Sequence, residues 1–178
     1  MEGELSIGIS VEDFISSDIK CIYINYETFM KIEQEIKQSI FKSEYHKLSV
    51  NLMYTYSWLH IQNQAHLKPF GITIQQYNIL RILRGQYPDP ATINLLIERM
   101  LDKMSNASRL VEKLRQKGLV ERRICEKDRR AVDVIINEKG LYLLQEIEKH
   151  DNEWEKVFHN LTNREAKKLN QLLDKLRG

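Results

Sequence analysis

Cysteine is scarce in this chain, with two among 178 residues. Cys21 and Cys125 lie far apart and make neither a CxxC pair nor a Cys/His metal spacing. No disulfide framework and no zinc site is implied, and a reducing, cytoplasmic setting suits that usage. Long apolar runs are missing as well: none approaches the 18 residues of a membrane span. The opening Met-Glu-Gly-Glu lacks the basic start of a secretory signal. There is no phosphate-cradling glycine loop and no HExxH. The carboxylates Asp102, Glu126 and Asp128 fall in a turn or hairpin with no matching base, and the five histidines His46, His60, His66, His150 and His159 lack compact ligand spacing. These absences predict a protein that is not an enzyme and needs no metal or cofactor. His60 and His66 converging on something across a dimer is the minor alternative to ordinary packing roles.

Net charge is also small, at +2, so the total says little about partners. Its distribution says more. Residues 99–130 hold eleven Lys/Arg against five Asp/Glu, whereas residues 1–42 hold four Lys against eight Asp/Glu. A nearly neutral protein can therefore present a basic face. The extreme is the run RRICEKDRRA, with five cations between 122 and 130. With 42% hydrophobic and 29% charged residues, the chain can bury a real core.

Hydrophobic periodicity predicts mostly helices. Residues 1–20 read as a loose acidic arm, with a short strand near 21–24, and Ile32, Ile36 and Ile40 suggest a short helix within 27–40. Ser43 is a candidate cap for a helix of about 25 residues that Pro69 and Gly71 stop. Leu48, Leu52, Tyr56, Leu59, Asn63 and Leu67 trace one of its faces. Thr73 and Gln76 form a capping box for a helix ended by Gly85. Helices over 91–100 and 104–116 follow, separated by a tight corner at 101–103, and Gly118 ends the second. Leu119-Val120 and Val132–Ile136 make a hairpin around the charged run. Asn137 and Gly140 lead into an apolar stripe from 141 to 158, and Thr162 with Glu165 caps a last helix. The expected fold is mainly α with a small β-hairpin wing: a winged helix-turn-helix over 71–140, flanked by long dimerisation helices at 43–70 and 141–178, behind an arm at 1–42.

Such a module binds duplex DNA when polar groups near the start of its second helix enter the major groove and cations neutralise phosphates. Asn106 and Arg109 can read base edges; Ser105, Ser108 and Lys113 add short polar or phosphate contacts. Arg122 and Arg123 either join them or face water. Lys127, Arg129 and Arg130 suit a narrow minor groove, and Asp128 suits a structural pairing that shapes the hairpin tip. Apolar residues on the flanking helices, Leu48, Leu52, Leu144, Trp154, Leu169, Leu172 and Leu176, are the candidate dimerisation set. Tyr54, Tyr56, Trp58 and His60 either line an effector pocket or belong to a core.

The run LDKMSNASRLVEKLRQKGLVERRICEKDRRAVDVIINEKG (101–140) resembles the recognition helix and wing of MarR-type transcriptional regulators. Asp128-Arg129-Arg130 matches the wing signature, and Asn137-Glu138-Lys139-Gly140 its exit. GITIQQYNILRIL (71–83) is similar to the preceding helix, and the resemblance covers roughly 43–176. It implies a homodimer on a pseudo-palindromic operator, acting as repressor or activator, with a small-molecule effector as a possible partner and no membrane role. The arm at 1–42 departs from the pattern, and Cys21 lies about 22 residues ahead of where a redox-sensing branch carries its cysteine. The rival reading is a winged-helix protein-interaction module that does not bind specific DNA; steep salt dependence on duplex DNA separates the two.

Overall fold

The computed structural model describes residues 30–124 and 132–178. The arm before Met30, including Cys21, and the wing tip, including Cys125, Lys127, Asp128, Arg129 and Arg130, lie outside the described residues. The chain divides into two compact units, Met1–Ala65 and His66–Gly178.

In the first unit, a single helical turn, α1 (Ile32–Glu35), precedes the 24-residue helix α2 (Glu44–Leu67). The expected helix within 27–40 is cut short because Lys37 takes a left-handed φ of 53°, which a helix cannot continue through. Two polar clips hold α1 against α2. Lys47 pairs with Glu33, and the Tyr54 hydroxyl donates to Glu35 Oε2 at 2.7 Å. Ser43 caps α2, its Oγ accepting from the His46 amide at 3.1 Å. The single apolar face read from the sequence is not buried: of the residues in α2 only Leu67 is, while Tyr45, Leu48, Met53, Tyr56 and Ile61 are exposed around the cylinder. Among the described residues, no helix is long and apolar enough to cross a membrane.

The second unit holds the core. A 3₁₀ turn (Lys68–Phe70) leads to α3 (Ile74–Gln86), strand β1 (Ala91–Thr92), α4 (Ile93–Arg99), α5 (Ala107–Gln116), β2 (Val120–Ile124) and β3 (Val132–Ile136). Helices α6 (Glu138–Glu148), α7 (Asp151–Glu155) and α8 (Asn163–Arg177) complete it. The sheet is antiparallel in the order β1-β3-β2, with Val120 opposite Ile136 and Ala91 opposite Val134. Ile79, Leu80 and Leu83 of α3, Leu96 of α4, Val111 and Leu114 of α5, Val134 and Ile136 of β3, and Leu144 and Ile147 of α6 form one buried cluster.

Several boundaries differ from the sequence reading. The helix expected from Ala91 begins at Ile93, because Thr92 is its cap: Thr92 Oγ1 accepts from the Leu95 amide at 3.2 Å, and Ala91-Thr92 stays extended as a third strand. α3 continues through Gly85 to Gln86, with Tyr87 as its C-terminal cap. The stripe from 141 to 158 is not one helix, since α6 ends at Glu148 and a new short helix starts at Asp151. The two capping boxes, Thr73 with Gln76 and Thr162 with Glu165, form as expected.

Gly140 sets how closely α6 approaches the sheet. A methyl there would meet the Leu119 carbonyl oxygen at 2.4 Å and Ile136 Cγ1 at 2.7 Å. Asn137 locks the same junction. Its Oδ1 accepts from the Gly140 amide at 3.0 Å, and its Nδ2 donates to the Gly118 carbonyl at 3.0 Å.

Candidate nucleic-acid interface

The α4–turn–α5 segment is built by side chains that cap backbone groups. Asp102 is its centre: the Ser105 hydroxyl donates to Oδ2 at 2.6 Å and the Met104 amide to Oδ1 at 3.0 Å. Those bonds, Ser105's foremost, hold the Asp102 carboxyl below its usual range. Asn106 then caps α5, its Oδ1 accepting from the Arg109 amide at 3.0 Å. Two successive carboxylate or amide caps compete with helix for residues 102–106, which is why α5 starts at Ala107 and not at Met104. Lys103 reaches back to the Ile97 carbonyl at 3.2 Å and to that of Glu98, closing the end of α4.

Ala107, Val111 and Leu114 face the core, so the opposite side of α5 faces solvent. Ser108, Arg109 and Lys113 are exposed there. Neither cation has an ion pair among the described residues. Ser105 and Asn106 are differently placed from the expectation. Ser105 is half-buried and its hydroxyl is engaged by Asp102. The Asn106 carbonyl is turned onto its own helix, leaving its Nδ2 amino group for other contacts.

The two arginines at the root of the wing are both paired. Arg122 Nη1 lies 3.2 Å from Glu112 Oε2, and Arg123 Nη2 lies 2.8 Å from Glu121 Oε2. Glu112, which the sequence reading passed over, joins α5 to β2. It accepts from Arg115 at 2.8 Å, from Arg122 and from Gln116. Arg115 first, then the other partners, bring its carboxyl down to about 2. The Glu112–Arg115 spacing of three on a helix was the available signal; the cross-element bond to Arg122 has no local signature. A second unanticipated feature is an open cleft of about 470 Å³ at the base of the hairpin, lined by Tyr87, Glu121, Arg123, Ile135, Asn137 and Lys139 among others.

The remaining candidates separate. Leu169, Leu172 and Leu176 are 44%, 54% and 57% exposed along one face of α8, and Leu48 is exposed on α2 while Leu52 is half-buried. Leu144 corrects its expectation: it is wholly buried in the chain's own core and has no surface left for a second subunit. Trp154 is half-buried, its ring 5.8 Å from His66 and 5.7 Å from Phe158. Phe70 continues that cluster to His150 at 5.9 Å.

Tyr54, Tyr56, Trp58 and His60 do not share one face of α2. They lie on a single helix, where two residues turn through about 200°, so 54 and 58 face one way and 56 and 60 nearly the other. The Tyr54 hydroxyl is taken by Glu35, and the Tyr56 and His60 rings pack at 5.9 Å with Tyr56 exposed. Among the described residues, no group of three or more His, Cys, Asp or Glu is arranged to hold a metal ion.

Comparison with known proteins meets this geometry. Residues 70–131 match the model of the MarR family. Among solved structures, a MarR transcription factor from Planctomyces limnophilus is 27% identical, with 76% of this chain covering 98% of that one at a TM-score of 0.59. BpsR of Bordetella bronchiseptica, solved in a study of how 6-hydroxynicotinic acid regulates its DNA binding, is 20% identical, over 74% of this chain and 99% of that one, at 0.66. The organohalide-sensing regulator RdhR-CbdbA1625, bound to 2,4-dichlorophenol, is 18% identical, over 86% and 87%, at 0.70.

Proposed function

We propose that this chain, a MarR-type winged-helix regulator by its family match and its fold, is a sequence-specific duplex-DNA-binding transcriptional regulator. It works in the cytoplasm as a homodimer on a pseudo-palindromic operator, most simply as a repressor. The observation that carries this reading is the solvent face of α5, where Ser108, Arg109 and Lys113 stand exposed opposite the core-packing residues. Arg109 and Lys113 supply phosphate or base contacts, and the cations of the wing tip, Lys127, Arg129 and Arg130, extend the basic surface. Asp128 shapes that tip. Arg122 and Arg123, both paired to glutamates, hold the root of the wing and make at most secondary contacts with DNA.

The homodimer is supported by the unpartnered leucines of α8 and the uncovered apolar surface of α2, which a lone chain leaves in water. The proposal assigns an arm to 1–42, dimerisation helices to 43–70 and 141–178, and the DNA-binding module to 71–140. A small-molecule effector is part of the proposal because two structural neighbours were solved in relation to one, 2,4-dichlorophenol or 6-hydroxynicotinic acid.

The test is selection of bound duplexes from a random pool at two salt concentrations. A recovered pseudo-palindrome, lost as salt rises, is the expected result. No enrichment at either salt would instead favour the protein-interaction module.

A further inference from the structure

The turn between α4 and α5 presents an apolar side chain for which the core has no use. Met104 is 94% exposed, the most exposed of the large apolar side chains among the described residues. Its setting is nevertheless tightly held. The Leu101 amide donates to Asn78 Oδ1 at 3.0 Å, which ties the start of the turn to α3. Asp102 grips the Met104 amide and the Ser105 hydroxyl, and Lys103 closes the carbonyl end of α4. Backbone restrained on both sides thus carries a thioether that touches almost nothing. Such pre-organisation lowers the ordering cost of a contact made later.

Its neighbours narrow the choice of partner. Met104 stands just ahead of the first turn of α5, at the end of the helix that, on the DNA-binding reading above, enters the major groove. The polar groups beside it are largely committed: the Ser105 hydroxyl to Asp102, the Asn106 carbonyl to its own helix, the Lys103 ammonium to α4. Arg109 and Lys113 follow, exposed and cationic, as groups that meet phosphates. The one apolar feature on the major-groove edges of the base pairs is the 5-methyl group of thymine. A flexible, polarisable thioether suits such a contact.

We propose that Met104 is a specificity-determining residue that contacts a thymine 5-methyl group in each half-site of the operator. The contact rests on the DNA-binding reading above and adds to it a base preference, thymine over cytosine, at a position served by no hydrogen bond. It also explains why so exposed a methionine is held on so rigid a turn.

The experiment replaces thymine by deoxyuridine, one position at a time, in the duplex recovered from the random pool. That exchange removes the methyl group and leaves every hydrogen-bonding edge intact. Binding of the 178-residue chain is expected to weaken about fourfold at one thymine per half-site, the effect of losing one buried methyl. Met104→Ala is expected to bind the thymine and deoxyuridine duplexes equally, and Met104→Leu to keep most of the discrimination. Since the side chain is exposed, both variants should fold like the natural chain, checked by circular dichroism. Deoxyuridine effects of the same size in Met104→Ala, or none in the natural chain, would overturn the contact while leaving the regulator reading intact. Failure to bind any duplex would remove both, and a protein partner captured through Leu101 and Met104 in its place would reassign this turn.

Discussion

Glu112 is the carboxylate that joins α5 to β2. One carboxylate binds Arg115 on its own helix and Arg122 on β2, so it fixes the angle at which the wing leaves α5. Its folded-state value near 2, below the ordinary 4.5, makes the tie a stabilising one at neutral pH. The sign follows from the depression: the contribution is complete above about pH 4.5 and is lost as pH falls through the folded-state value near 2. We expect a carbon NMR titration of the Glu112 carboxyl to place its midpoint well below 4. Glu112→Gln should make unfolding less dependent on pH between 4.5 and 2. A midpoint at 4 or above would mean that the pairs with Arg115 and Arg122 do not persist in solution. The group is solvent-accessible, so the gain to overall stability is small and screened by salt. What matters is that Arg122, held this way, ties β2 to α5.

At the scale of elements, caps decide where helices begin, and most of them were legible in advance. Ser43, Thr73 and Thr162 are short oxygen-bearing residues just ahead of helical periodicity, and each accepts the expected amide, while Asn137, read only as the lead into the next helix, caps α6 as well. The start of α5 was misread for the same chemical reason that the others were read correctly. Asp102, Ser105 and Asn106 are three capping residues in five positions, and periodicity alone cannot say which one ends the turn. Asn106 does, so its side chain first serves stability. We expect Asn106→Ala to lower unfolding free energy by about 1 kcal/mol in urea, and Asn106→Asp, which keeps the accepting oxygen, to stay within a few tenths of the natural chain. Equal losses in the two variants would separate the residue from capping. β1 was invisible because a two-residue strand has no period; only its pairing with Val134 and Asp133 defines it. In contrast, the hairpin followed from alternation, because Val134 and Ile136 answer to a core within reach of the local sequence.

For the whole molecule, the informative quantity is apolar surface left uncovered. Leu144 and Leu172 read alike in the sequence, each a leucine on an amphipathic helix near the C-terminus. One is buried in its own chain and the other is exposed on α8. Periodicity identifies an apolar face but cannot say whether the same chain or a second copy covers it, and that is the limit of what this sequence discloses about assembly. Leu169, Leu172 and Leu176 recur at spacings of three and four, forming a stripe that costs free energy in water and gains it against a like stripe. A self-complementary patch of this kind suits a two-fold interface, in which each copy contributes the same residues. Leu172→Asp places a charge in the middle of the stripe, where burial without a partner is unfavourable. Because Leu172 is exposed in the single chain, the fold itself should tolerate the change, with helical content and the unfolding midpoint near those of the natural protein. Light scattering should then report a single-chain mass for the variant and twice that mass for the natural chain. Loss of the dimer should also remove the preference for paired half-sites, leaving weak binding to one. A variant that remains fully dimeric would move the interface away from α8, towards the uncovered surface of α2, where Tyr45, Leu48 and Met53 are the next residues to charge.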